Sequence, residues 1–127
     1  MFDFEQFPVY IKAEAFYADV FKICVDGNPD KNIKDQLRRA SLSIVLNIAE
    51  GAGKYTKQDK KNFYVVAKGS VNECVAIIRI LKIENKISGE SFDKNYNNLL
   101  EIAKMLSGLI NSMIGKTSGP ENIIDTI

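Results

Sequence analysis

The chain has 127 residues, 46% of them hydrophobic and 26% charged, which suits one compact domain whose core needs no metal or disulfide. Its formal charge is +1 and it contains no histidine. That excludes Ser-His and Cys-His mechanisms and most zinc chemistry, and it denies the whole molecule a general attraction to polyanions.

The opening, MFDFEQFPVY, is acidic and lacks the basic flank of a secretory leader. No run approaches the ~20 apolar residues of a membrane span, so a cytoplasmic protein is expected. The first helix is expected over 9–25, where Val9, Ala13, Phe16, Val20, Ile23 and Cys24 recur at three- and four-residue spacing. DGNPDK, residues 26–31, ends it. Gly27 is expected to take the left-handed stop, and Pro29 to occupy the first turn of the next helix. That second helix is expected over 30–52, with Ile33, Leu37, Ala40, Ile44 and Ile48 on one stripe. Leu42, Val45, Leu46 and Ala49 widen the stripe beyond one face.

The third helix is expected over 57–86, opened by Thr56 as cap with Asp59 in its first turn. Phe63, Val66, Ala67, Ser70, Cys74, Ile77 and Leu81 mark one of its faces; Tyr64, Val71, Val75 and Ile78 mark another. The fourth is expected over 89–114, capped by Ser88 or Ser91, with Phe92, Tyr96, Leu99, Ala103, Leu106 and Ile110 in phase. Residues 115–127 contain Gly115, Gly119 and Pro120 and are expected to form a flexible tail. The whole predicts one all-α domain over 1–127, an up-down-up-down antiparallel four-helix bundle. The two wide apolar faces on the middle helices exceed what a lone bundle buries and point to a subunit interface. Cys24 and Cys74 lie within apolar helical patterns and read as buried thiols.

Between the second and third helices stands NIAEGAGKYTKQDKKNF, residues 47–63, which invites comparison with a phosphate-binding loop. Such a loop needs G-x-x-x-x-G-K-[ST] between a strand and a helix. Ile48 stands where its first glycine belongs, Tyr55 where its hydroxyl belongs, and a helix precedes it. The stretch therefore reads as a corner, with Gly51 and Gly53 expected to take unusual backbone angles.

Charge is unevenly spread. Residues 31–86 hold twelve cations and five anions, whereas 1–30 hold two and six and 87–127 hold three and five. A basic middle between acidic ends is suited to phosphate, and Arg38, Lys54, Lys57, Lys60, Lys61 and Lys68 are the candidate contacts. Arg39, Ser43, Asn47 and Glu50 share one line of the second helix, and Glu73 lies among apolar residues of the third. These five are expected to form a structural polar network, within or between subunits, because a buried charge persists only when paired. The alternative use of Glu50 and Glu73 is a hydrolytic carboxylate pair. No metal motif accompanies them and no cofactor is expected.

Residues 36–73, QLRRASLSIVLNIAEGAGKYTKQDKKNFYVVAKGSVNE, resemble the signature of the four-helix-bundle proteins called 23S ribosomal RNA intervening-sequence proteins. Gln36, Arg38, Arg39, Ala40, Ser43, Ile44, Asn47, Ile48, Ala49, Glu50 and Gly51 match the family pattern, as do Phe63, Gly69, Ser70 and Glu73. FPVYIKAEAF resembles the family opening, with Tyr10 in place of tryptophan, so the likeness covers about residues 4–114. Val45 stands where the family has proline. The resemblance implies a bundle that assembles into a homo-oligomeric ring, usually a pentamer. It implies no reaction, since the family is named for gene location. A related branch, the accessory proteins of diversity-generating retroelements, binds a reverse transcriptase and nucleic acid. The expectation is a non-enzymatic oligomer that binds RNA or a nucleic-acid-processing partner through its basic middle. A structural or protein-interaction module with no nucleic-acid role is the alternative.

Overall fold

A computed structural model describes residues 1–114 of the chain; the expected tail, 115–127, lies outside the described residues. A short 3-10 turn, Asp3–Gln6, leads into four α-helices: α1 Pro8–Gly27, α2 Lys31–Ala52, α3 Lys57–Ile83 and α4 Gly89–Ile114. The four-helix architecture is the one expected. The helix ends carry the differences.

α1 starts on Pro8, whose missing N–H is no loss in a first turn. It stops at Asn28, which takes the left-handed conformation with φ 44°. Gly27, expected to be the stop, lies inside the helix instead, and its role is spatial. A Cβ there would lie 1.8 Å from the Lys86 carbonyl oxygen, so only glycine lets the α3–α4 connection pass so close. Pro29 is buried in the connection rather than part of a first turn. Asp30 caps α2, its carboxylate accepting from the Ile33 N–H at 3.0 Å. α2 continues through Val45 as helix.

Thr56 caps α3 as expected, its Oγ1 accepting from the Asp59 N–H at 3.1 Å. α3 ends at Ile83 rather than at 86. There Asn85 adopts φ 56°, the Lys86 N–H donates to the Leu81 carbonyl at 2.8 Å, and the Asn85 N–H donates to Lys82 at 3.1 Å. That pair of bonds is the Schellman stop, built on asparagine where glycine is usual. Ser88 begins α4, its Oγ accepting from the Ser91 N–H at 3.1 Å.

Successive helices pack side by side and α1 closes on α4, with the α2–α3 and α3–α4 seams the most extensive. Phe16, Leu37, Ile44, Ile48, Ile78, Leu81, Leu99, Leu106 and Ile110 are fully buried between them. Burial of each such side chain contributes about 1.5–3 kcal/mol. The narrower α1–α4 seam adds polar ties: Lys12 to Glu101 at 2.7 Å and Lys94 to Asp19 at 3.1 Å. Leu42 and Leu46 on α2, and Val65, Val66, Ile80 and Ile83 on α3, remain exposed. Leu42 and Leu46 belong to the widened stripe expected on α2, whereas Val45 of that stripe and Tyr64, Val71 and Ile78, expected as a second face of α3, are buried in the core; the exposed apolar side chains of α3 are others.

Candidate nucleic-acid interface

The corner between α2 and α3 is built by close approach rather than by strained backbone. Gly51 and Gly53 were expected to supply unusual angles; Gly53 has an ordinary φ of −86° and Gly51 lies within α2. A Cβ on Gly51 would lie 2.8 Å from Tyr64 Cε1 and 3.1 Å from Phe63 Cβ. Its hydrogen lets the first turns of α3 seat against the last turn of α2. The element before the turn is a helix, so the corner is no phosphate-binding loop.

The six candidate cations do not form one patch. Lys60 donates to the Ala52 carbonyl at 3.0 Å and so closes the C-terminal end of α2. Lys54 sits 3.6 Å from the Glu50 carboxylate and 5.0 Å from the centre of the Phe63 ring. Lys57, Lys61 and Lys68 recur along one flank of α3, at steps of four and seven residues. Arg79, not anticipated from the sequence, continues that flank. It helps line a groove of about 390 Å³ between α3 and α4, together with Tyr96, Leu99 and Leu100. Arg38 stands apart, beside α1. There its charge and that of Lys34 oppose the upward push that burial gives the Cys24 thiol.

One further residue was missed. Tyr55 is wholly exposed, at 101% of its reference area, in the turn between Lys54 and Lys57. The sequence carries the signal, an aromatic flanked by lysines, at the place where a phosphate loop would need a hydroxyl.

The expected polar line divides. Ser43 Oγ and Ser70 Oγ share a hydrogen bond of 2.8 Å across the α2–α3 seam. Asn47 Nδ2 donates to the Ser43 carbonyl at 2.8 Å and to Ser43 Oγ at 3.1 Å. Ser70, read from the sequence only as part of an apolar face, thus joins the cluster. Arg39, Glu50 and Glu73 are exposed and lie outside it. Glu50 pairs with Lys54, whereas Arg39 and Glu73 have no hydrogen-bond or ion-pair partner among the described residues. The Ser43–Ser70 contact sets the register of the antiparallel pair and puts Glu50 level with Phe63. Glu73 is ten residues farther along α3, roughly 15 Å away at 1.5 Å per residue. That separation is too great for two carboxylates to act on one bond.

Burial pushes the Cys74 thiol well up, with the nearby Glu73 charge adding to the effect. It is therefore a packing residue and not a nucleophile. Among the described residues no group of three His, Cys, Asp or Glu side chains is placed to hold a metal. No helix there is long and apolar enough to cross a membrane.

Residues 5–108 match the family described as 23S rRNA-intervening sequence protein. A solved structure of similar fold is a protein of unknown function from the S23 ribosomal protein family of Bacteroides thetaiotaomicron VPI-5482. It is 25% identical, superposes with a TM-score of 0.75, and the match covers 80% of this chain and 97% of that one. No curated protein matches the chain significantly.

Proposed function

The chain belongs to the 23S rRNA-intervening sequence protein family, and from that premise we propose that it is a non-enzymatic, cytoplasmic, homo-oligomeric bundle that binds RNA at the α2–α3 corner. The observation that carries the reading is Tyr55, entirely exposed and set between Lys54 and Lys57. A solvent-facing ring among cations offers a stacking surface for an unpaired base while the ammonium groups meet the phosphates on either side. The N-terminal end of α3, with its partial positive charge, lies at the same corner. Lys57, Lys61, Lys68 and Arg79 extend the positive flank from there along α3. A pentameric ring, the assembly implied by the sequence resemblance, would present the corner several times and raise the effective affinity of each weak contact.

The test is fluorescence anisotropy with single-stranded RNA at low salt. Tyr55→Ala is expected to weaken binding by roughly five- to a hundred-fold, the range for loss of one stacked base, and to leave the thermal midpoint unchanged. Wild-type protein that fails to bind RNA at low salt while remaining assembled would remove this reading. The second reading, a module whose partners are proteins, would then be favoured.

A further inference from the structure

α2 and α3 each carry a second row of side chains opposite the row that builds the core. On α2 the row is Arg39, Leu42, Leu46 and Ala49; on α3 it is Val66, Gly69, Glu73, Ala76 and Ile80. The steps alternate between three and four residues, the spacing at which one helix seats on another. Leu46 is 55% exposed, Val66 52% and Ile80 45%. α4 provides the contrast: its exposed row of Asn97, Glu101, Lys104, Gly108 and Asn111 carries no large apolar side chain.

Two features of these rows have no explanation among the described residues of one chain. Gly69 lies in the middle of α3, where glycine weakens a helix relative to alanine. No described residue comes within 4 Å of the place its Cβ would take, so packing among the described residues does not require it. Arg39 and Glu73, of opposite charge, stand one in each row and have no hydrogen-bond or ion-pair partner among the described residues. An exposed salt-bridge residue needs no partner, but here each sits among apolar neighbours that contact would dehydrate.

We infer that the α2 row of one copy packs against the α3 row of a second copy, with Arg39 of the first paired to Glu73 of the second. The inference rests on the homo-oligomer proposed above and names its contact surface. The two rows are complementary in size as well as charge: Leu42 and Leu46 are large, while Gly69 and Ala76 leave room. Pairing α3 with α3 across a two-fold axis would instead set Glu73, midway along its row, against another Glu73. Contact between unlike faces is head-to-tail, and it repeats from subunit to subunit, as a ring where the rotation closes and as a filament where it does not.

The experiment is a mass measurement by light scattering on wild-type protein, Arg39→Glu, Glu73→Arg and the double reversal, with helicity checked by circular dichroism. Wild type should be assembled. Each single reversal should weaken assembly by about tenfold or more, and the double reversal should restore it. Gly69→Leu, which the open surroundings let fold, should also dissociate the assembly. An assembled wild type whose mass survives both single reversals and Gly69→Leu would overturn this contact but leave the oligomer standing. Single reversals that dissociate without rescue by the double would overturn the Arg39–Glu73 pairing. A monomeric wild type would overturn both the contact and the oligomer.

Discussion

At Gly27 the 1.8 Å between a would-be Cβ and the Lys86 carbonyl oxygen is far inside contact distance, and the obstacle is backbone, which cannot rotate aside. Gly27→Ala must therefore move the α3–α4 connection away from the end of α1. A loss of about 1–3 kcal/mol is expected, as for other overpacked sites, read as a lower urea midpoint with an unchanged slope. Gly51 behaves in the same way but against the side chains of Phe63 and Tyr64, which have more freedom to yield. In both cases glycine is used for the volume it leaves empty. The left-handed turns fall to Asn28 and Asn85, at φ 44° and 56°; asparagine tolerates that region better than other residues with a side chain.

At the scale of the helices, α1 is held to α4 partly by charge. The Lys12 ammonium, hydrogen-bonded to Glu101 at 2.7 Å, holds that carboxyl below its ordinary value of 4.5. The folded pKa thus lies below the unfolded one. The contribution of the pair is complete above about pH 4.5 and is lost as pH falls through the lower folded value. Because Glu101 is exposed, its share of the acid sensitivity is small. In denaturation midpoints measured from pH 6 downward, Glu101→Gln is expected to flatten the acid-side fall and to lie below wild type at pH 6. Identical pH profiles for the two proteins would mean that the contact contributes nothing to α1–α4 packing.

For the whole molecule, a formal charge of +1 leaves little long-range attraction for RNA, so binding must come from the local arrangement of cations on α3 and at the corner. Each phosphate neutralised on a single strand adds about 0.7 to the slope of log affinity against log salt. Lys57→Gln with Lys61→Gln should lower that slope by about 1.4 if both side chains contact phosphate. Lys60→Gln should act differently: the side chain caps α2 through the Ala52 carbonyl, so stability should fall more than the slope. A slope that is unaffected by the Lys57 and Lys61 changes would place the RNA elsewhere on the molecule.

The fold was legible because helices of this length repeat their apolar residues many times. Phe16, Ile44, Ile78 and Leu106 fall in phase with their neighbours, and a few errors do not disturb the pattern. The helix stops were less legible, since Asn85 ends α3 by hydrogen bonds that join Lys86 to Leu81 and that no single residue type announces. The candidate site was legible in composition but not in arrangement. The sequence shows a surplus of cations over 31–86, yet not that Lys60 turns inward, that Arg38 faces α1, or that Tyr55 is left bare. The sequence by itself determined the four helices and most of their core positions, because these depend on local repeats, and the family, because that depends on residue identity along 36–73. Only the tertiary structure decided the neighbours: Ser70 with Ser43, Glu50 with Lys54, and Glu50 far from Glu73. Such contacts depend on the register between α2 and α3, which the close approach at Gly51 and the packing of the core settle together.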